Sequence, residues 1–77
     1  MNHIQLLMRK GCHLCEEMRT IIEMAAWETE IEVTEIDIEK NEELLQRYML
    51  EIPVVIINGE ELDYRSINLS SLRERLQ

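Results

Sequence analysis

The stretch Ile4-Gln5-Leu6-Leu7-Met8-Arg9-Lys10-Gly11-Cys12-His13-Leu14-Cys15 decides the fold. Ile4 to Met8 is apolar on both faces near its end, the pattern of a central strand buried on two sides. Arg9-Lys10-Gly11 leave the strand. Leu14, Met18, Ile21, Ile22, Ala25 and Ala26 then recur at helical spacing, with Glu16, Glu17, Arg19, Thr20 and Glu23 opposite. A helix is predicted from about Cys12 to Trp27, so both cysteines stand where a strand gives way to a helix.

Working outward, Ile31 to Ile38 reads as a β-branched strand. Its alternation changes phase near Thr34-Glu35, which predicts a bulge or strand end there. Glu30, Glu32 and Glu35 suit an edge strand that refuses further pairing. Asn41 caps a short helix with Leu44, Leu45 and Tyr48 on its apolar face. Ile52-Pro53 leads into the strand Val54 to Ile57. Asn58-Gly59 is a type I′ hairpin signal, returning through Glu60 to Tyr64 with Leu62 opposite Val55. Asn68 caps a last helix carrying Leu69, Leu72 and Leu76, and Ile67 with Leu72 can form a hydrophobic staple. The order β-α-β-α-β-β-α gives one α/β domain over residues 1–77. Its sheet has four strands, with the first pair parallel by the right-handed crossover rule and the last pair antiparallel.

Composition restricts the function. A chain of 77 residues is one small domain, and at this size only about 60% of the unfolded surface is buried. Chemistry must therefore sit near the surface and use few residues. Eight basic against sixteen acidic residues give a net charge of −8, which disfavours nucleic acid and anionic membranes. The longest apolar run, Val54 to Ile57, is far short of a membrane span. Met1 to Met8 lacks the basic start and cleavage site of a secretory leader, so a cytoplasmic monomer is expected. The methionines Met8, Met18, Met24 and Met49 read as core fillers, and Trp27 as a packing residue.

Two cysteines spaced C-x-x-C in such a chain mean reactive thiols or half a metal site. The first turn of a helix presents unpaired N–H groups and the positive end of the dipole. A thiolate at Cys12 is favoured there, and its pKa should fall below the free value of about 8.5. Arg9 and Lys10 add positive charge, whereas Glu16 and Glu17 oppose the thiolate. Cys15, one turn deeper, is placed to resolve a mixed disulfide formed at Cys12. Zinc or an iron–sulfur cluster is the competing use of the pair, with only His3 and His13 as further soft ligands. A small metal-chaperone domain also carries C-x-x-C, but its order ends on a strand. His13, between the cysteines, reads as a surface residue or as a redox-tuning cation. Pro53 heads a central strand, where it removes a ladder donor. It reads as a plain strand start or as a cis proline presenting the Ile52 backbone beside the thiols.

Cys12-His13-Leu14-Cys15 at a strand-to-helix turn, Ile52-Pro53 before a strand, Asn58-Gly59 in the hairpin and a closing helix together resemble the small glutaredoxin-like family of the thioredoxin superfamily. The resemblance covers essentially the whole chain. It implies the thioredoxin fold with strand order 2-1-3-4 and a cis Pro53. It also implies thiol–disulfide oxidoreductase activity, with Cys12 as nucleophile, Cys15 as resolving thiol and no cofactor. Ile52, Pro53, Arg9, Lys10, His13 and Arg65 are the expected substrate-binding residues.

The sequence departs from glutaredoxins in two places. His13-Leu14 replaces the usual Pro-Tyr between the cysteines, and Arg65-Ser66-Ile67-Asn68 stands where a Gly-Gly pair admits glutathione. Glutathione binding is therefore expected to be weak, about −4 kcal/mol or millimolar. A disulfide-containing protein is the expected substrate, ahead of a small-molecule disulfide. A metal or iron–sulfur carrier on the same thiols is the alternative.

Overall fold

The structure, a computed structural model, describes residues 1–77. The chain runs β1 (Asn2–Met8), α1 (His13–Ala26), β2 (Ile31–Asp37), α2 (Glu42–Tyr48), β3 (Val54–Ile57), β4 (Glu60–Asp63) and α3 (Leu69–Arg75). Short 3-10 turns at Ile38–Lys40 and Tyr64–Ser66 follow β2 and β4. The sheet order is β2-β1-β3-β4, with β1 and β2 parallel and the other pairs antiparallel. No helix is long and apolar enough to cross a membrane.

Side chains alternate across β1 and so feed two cores. Ile4 and Leu6 join Met18, Ile22, Ala25, Val55, Ile57 and Leu72 beneath α1 and α3. Leu7 joins Ile38, Tyr48 and Val54 beneath α2 on the other face. The short α2 covers only one end of that face, and His3 and Gln5 at the other end are exposed.

This uneven cover explains the phase change in β2. No bulge exists: β2 pairs with β1 residue for residue, from Asn2 opposite Ile31 to Met8 opposite Asp37. Ile31 and Val33 lie on the α1 face, Ile36 packs under α2, and Ile38 has already left the strand. The apolar positions change sides because the covering helix changes sides.

Three apolar expectations are corrected. Trp27 is 87% exposed rather than packed, because α1 ends before it and the chain turns away to β2. Met24 and Met49 are exposed and fill no core, while Met18 is buried and Met8 half-buried. The buried stripe of α1 is Cys15, Met18, Ile22 and Ala25, so Leu14 falls off it and is exposed.

Turn and cap chemistry follows the residues. Asn58 and Gly59 take positive φ angles of 49° and 89°. Asn41 Oδ1 accepts from Leu44 N at 3.1 Å. Asn68 and Ser71 form a reciprocal capping box on α3, and Ile67 packs on the core that contains Leu72.

Candidate active site

The register of the sheet brings the sequence motifs to one end of the molecule. Leu7 lies opposite Val54, and one further antiparallel step sets Met8 opposite Pro53. Val54 lies opposite Asp63 on the other side. The head of β3 therefore meets the outgoing ends of β1 and β4, from which Cys12 and Arg65 follow.

Cys12 is the N-cap of α1, with φ −90° and ψ 107°. Its Sγ accepts a hydrogen bond from Cys15 N at 3.2 Å, and its carbonyl accepts one from Glu16 N at 3.2 Å. Non-helical backbone at the cap turns the side chain back over the first turn, where helical N–H groups lack intrahelical partners. Cys12 and Cys15 are joined as a disulfide with Cα atoms 5.2 Å apart. Their surroundings differ sharply. Cys15 is 1% exposed at the head of the buried α1 stripe, whereas Cys12 is half-buried.

The Ile52–Pro53 peptide is cis, and Pro53 is buried. The cis form was expected to present the Ile52 backbone beside the thiols, and the Ile52 N–H is already engaged. Tyr48 O accepts from Ile52 N at 3.2 Å and from Glu51 N at 2.8 Å. The end of α2 thus holds this loop, while no backbone hydrogen bond reaches the Ile52 carbonyl.

Of the expected cations, Arg9, Arg65 and His13 have local partners and Lys10 has none. Arg9 pairs with Glu39 across 3.1 Å, which ties the loop after β1 to the 3-10 turn after β2. Arg65 pairs with Asp63 across 3.1 Å and stacks over Tyr64 at 4.6 Å. His13 extends into solvent and reaches Glu17, 3.2 Å away, rather than the sulfurs. Lys10 is exposed and makes no ion pair.

Sequence reasoning missed two features at this end. Leu50 is 85% exposed two residues before Ile52; a large apolar residue in a polar loop is the signal it offered. Tyr48, one turn N-terminal to Ile52, is almost buried, and its hydroxyl donates to Glu61 Oε1 at 2.7 Å. Beside it lies a cleft of about 290 Å³ lined by Arg47, Glu51, Glu61 and Asp63. Neither cysteine lines that cleft.

Residues 3–77 match the family described as a glutaredoxin-like domain (DUF836). Among solved structures, Ne2328 from Nitrosomonas europaea is similar at 27% identity and TM-score 0.80, covering 99% of this chain and 92% of that one. XcR50 from X. campestris is similar at 26% identity and TM-score 0.77, covering 92% and 91%. Thioredoxin 1 from Thermosipho africanus shares the fold at 23% identity and TM-score 0.67, covering 95% and 88%. No protein with a curated description is similar in sequence. With its C-x-x-C pair and a match over nearly all its length, the chain belongs to the glutaredoxin-like domain family of the thioredoxin superfamily.

Proposed function

We propose that the protein is a thiol–disulfide oxidoreductase acting on protein disulfides. One observation carries this reading: a half-buried Cys12 caps α1 while its partner Cys15 is enclosed at the head of the core stripe. In the reduced protein the Cys12 thiolate, favoured by the helix terminus, attacks a substrate disulfide. The first substrate sulfur forms a bond to Cys12 Sγ, and the second leaves as a thiolate. Cys15, giving up its proton, then attacks Cys12 Sγ. The first substrate sulfur leaves, and each substrate thiolate takes up a proton. The substrate gains two electrons and two protons, and the protein is left as the Cys12–Cys15 disulfide. A cellular dithiol or thiol must reduce it again, so a reducing cytoplasmic compartment suits the cycle.

Three features support a protein substrate. Exposed Leu14 and Leu50 offer apolar contact on the elements carrying Cys12 and Pro53. The Ile52 carbonyl can accept one hydrogen bond from an extended chain, alongside Pro53. Arg9 and Arg65 are already engaged by carboxylates, which leaves Lys10 to meet a glutathione carboxylate. Weak glutathione binding is therefore retained as part of the proposal. The acting species is a monomer.

Alkylation of the reduced protein tests the assignment. Cys12 should react far faster than Cys15 at neutral pH. Cys12→Ser should abolish disulfide reduction, and Cys15→Ser should accumulate a mixed disulfide. Equal alkylation rates, or full turnover by Cys12→Ser, refute the roles given to the two thiols.

A further inference from the structure

At the opposite end of β1 from the cysteines, Asn2 is only 3% exposed. Its side chain joins three segments. Nδ2 donates to Gln77 O at 3.0 Å, and Oδ1 accepts from Gln77 N at 2.8 Å. The same Oδ1 accepts from Asn58 Nδ2 at 3.0 Å. Asn58 is fastened a second time to β1: its Oδ1 accepts from His3 N at 2.9 Å, and its backbone N donates to His3 O at 2.8 Å.

Asn58 is followed by Gly59, and the two residues differ in how they are held. The Gly59 N–H makes no backbone hydrogen bond, and the residue is exposed with no Cβ to obstruct it. The Asn58 carboxamide is exposed but clamped at both its polar atoms. An asparagine followed by glycine is the pair in which the next backbone nitrogen attacks the side-chain carbonyl most readily. Here the nucleophile is free and the electrophile is tied to β1.

We propose that Asn58–Gly59 is a latent site of covalent self-modification, guarded by Asn2. When the clamp opens, Gly59 N loses its proton and bonds to Asn58 Cγ. Ammonia leaves, taking up that proton, and a five-membered succinimide closes. Water then opens the ring to aspartate or isoaspartate. No oxidant, reductant or enzyme takes part. The change propagates itself. The product replaces the Nδ2 donor with a carboxylate facing the Asn2 Oδ1 acceptor, and isoaspartate also lengthens the backbone in a two-residue turn. Either product weakens the hold on Gln77 and on β1.

Incubation of the full chain in mildly alkaline buffer, followed by peptide mass mapping, tests the proposal. The native protein should convert at residue 58 at least about tenfold more slowly than the same chain in urea, the factor given by ~1.4 kcal/mol of holding. Asn2→Ala, assayed while folded, should convert faster than the wild type. Should Asn2→Ala not fold, Asn58→Asp serves as the second variant and should lower the melting temperature. Equal rates for native and urea-unfolded chain overturn the proposal. So does a folded Asn2→Ala that converts no faster, or an Asn58→Asp chain as stable as the wild type.

Discussion

Tyr48 does three things at once. Its ring fills the smaller core with Leu7, Ile38 and Val54. Its carbonyl holds the Ile52 N–H, and its hydroxyl reaches Glu61 on β4. The phenol is held above its ordinary value of about 10, first by the hydrogen bond to Glu61, then by burial and by the Glu61 charge, with Arg47 opposing. A folded-state value above the unfolded one means that the contribution is complete below about pH 10 and is lost as pH rises through the folded value. Tyr48→Phe should therefore cost about 0.5–1.5 kcal/mol near neutral pH, with a smaller difference from wild type in strong alkali. Urea unfolding at neutral and alkaline pH measures both. Of the residues at this end, Cys12 and Cys15 were legible because they are the chain's two cysteines and stand close together, and Pro53 because it is the single proline. The Tyr48 carbonyl was not, because any residue supplies one and only the path of the chain aims it.

Helix α1 shows how far periodicity reads. The 3.6-residue pattern located the helix but included Leu14, whereas the buried stripe is Cys15, Met18, Ile22 and Ala25. Leu14 and Cys15 are both compatible with the pattern, and the packing of α1 against β1 and α3 selects between them. Trp27, read as a packing residue for its size alone, lies past the helix end and outside the packed face. Ile22, 2% exposed in the larger core, should lose about 2–5 kcal/mol on Ile22→Ala. Trp27→Ala should stay within about 0.5 kcal/mol of the wild type. Denaturant unfolding followed by far-ultraviolet circular dichroism compares the two without relying on the single tryptophan. A large loss at Trp27 refutes its placement on the surface. In β2 the misleading feature was tertiary: α1 and α2 cover opposite faces at different points along the strand, and a single strand carries no record of that.

On the scale of the whole molecule, charge is the dominant surface property. The sixteen acidic residues lie on the edge strands β2 and β4, on the three helices and on the connecting segments, with none on the central strands β1 and β3, and most cations are already paired: Arg9, Arg19, Arg65, Arg73 and Arg75 each meet a carboxylate. Such a surface attracts basic substrates over distance and repels acidic ones. Reduction of a lysine-rich peptide disulfide should be faster than that of a glutamate-rich one of equal length, and the gap in kcat/KM should narrow as salt is raised past physiological strength. A gap that ignores salt would place the discrimination in contacts at the thiols. The parallel first pair was legible in the helix between β1 and β2, and the hairpin in Asn58-Gly59; the strand order 2-1-3-4 came from the resemblance, because α2 leads from β2 to a β3 antiparallel to β1, which the order of elements alone does not fix.

The meeting of residues 2 and 77 has a practical side. Residues 2 and 77 are hydrogen-bonded to each other, and the seven-residue β1 sets them about 20 Å from the strand end that leads to the sulfurs. A short linker could join them head to tail with little distortion of the fold, removing conformational freedom chiefly from the denatured chain. Tethering to a bead or an electrode through either extremity would leave the dithiol facing the solution, in the same orientation on every molecule.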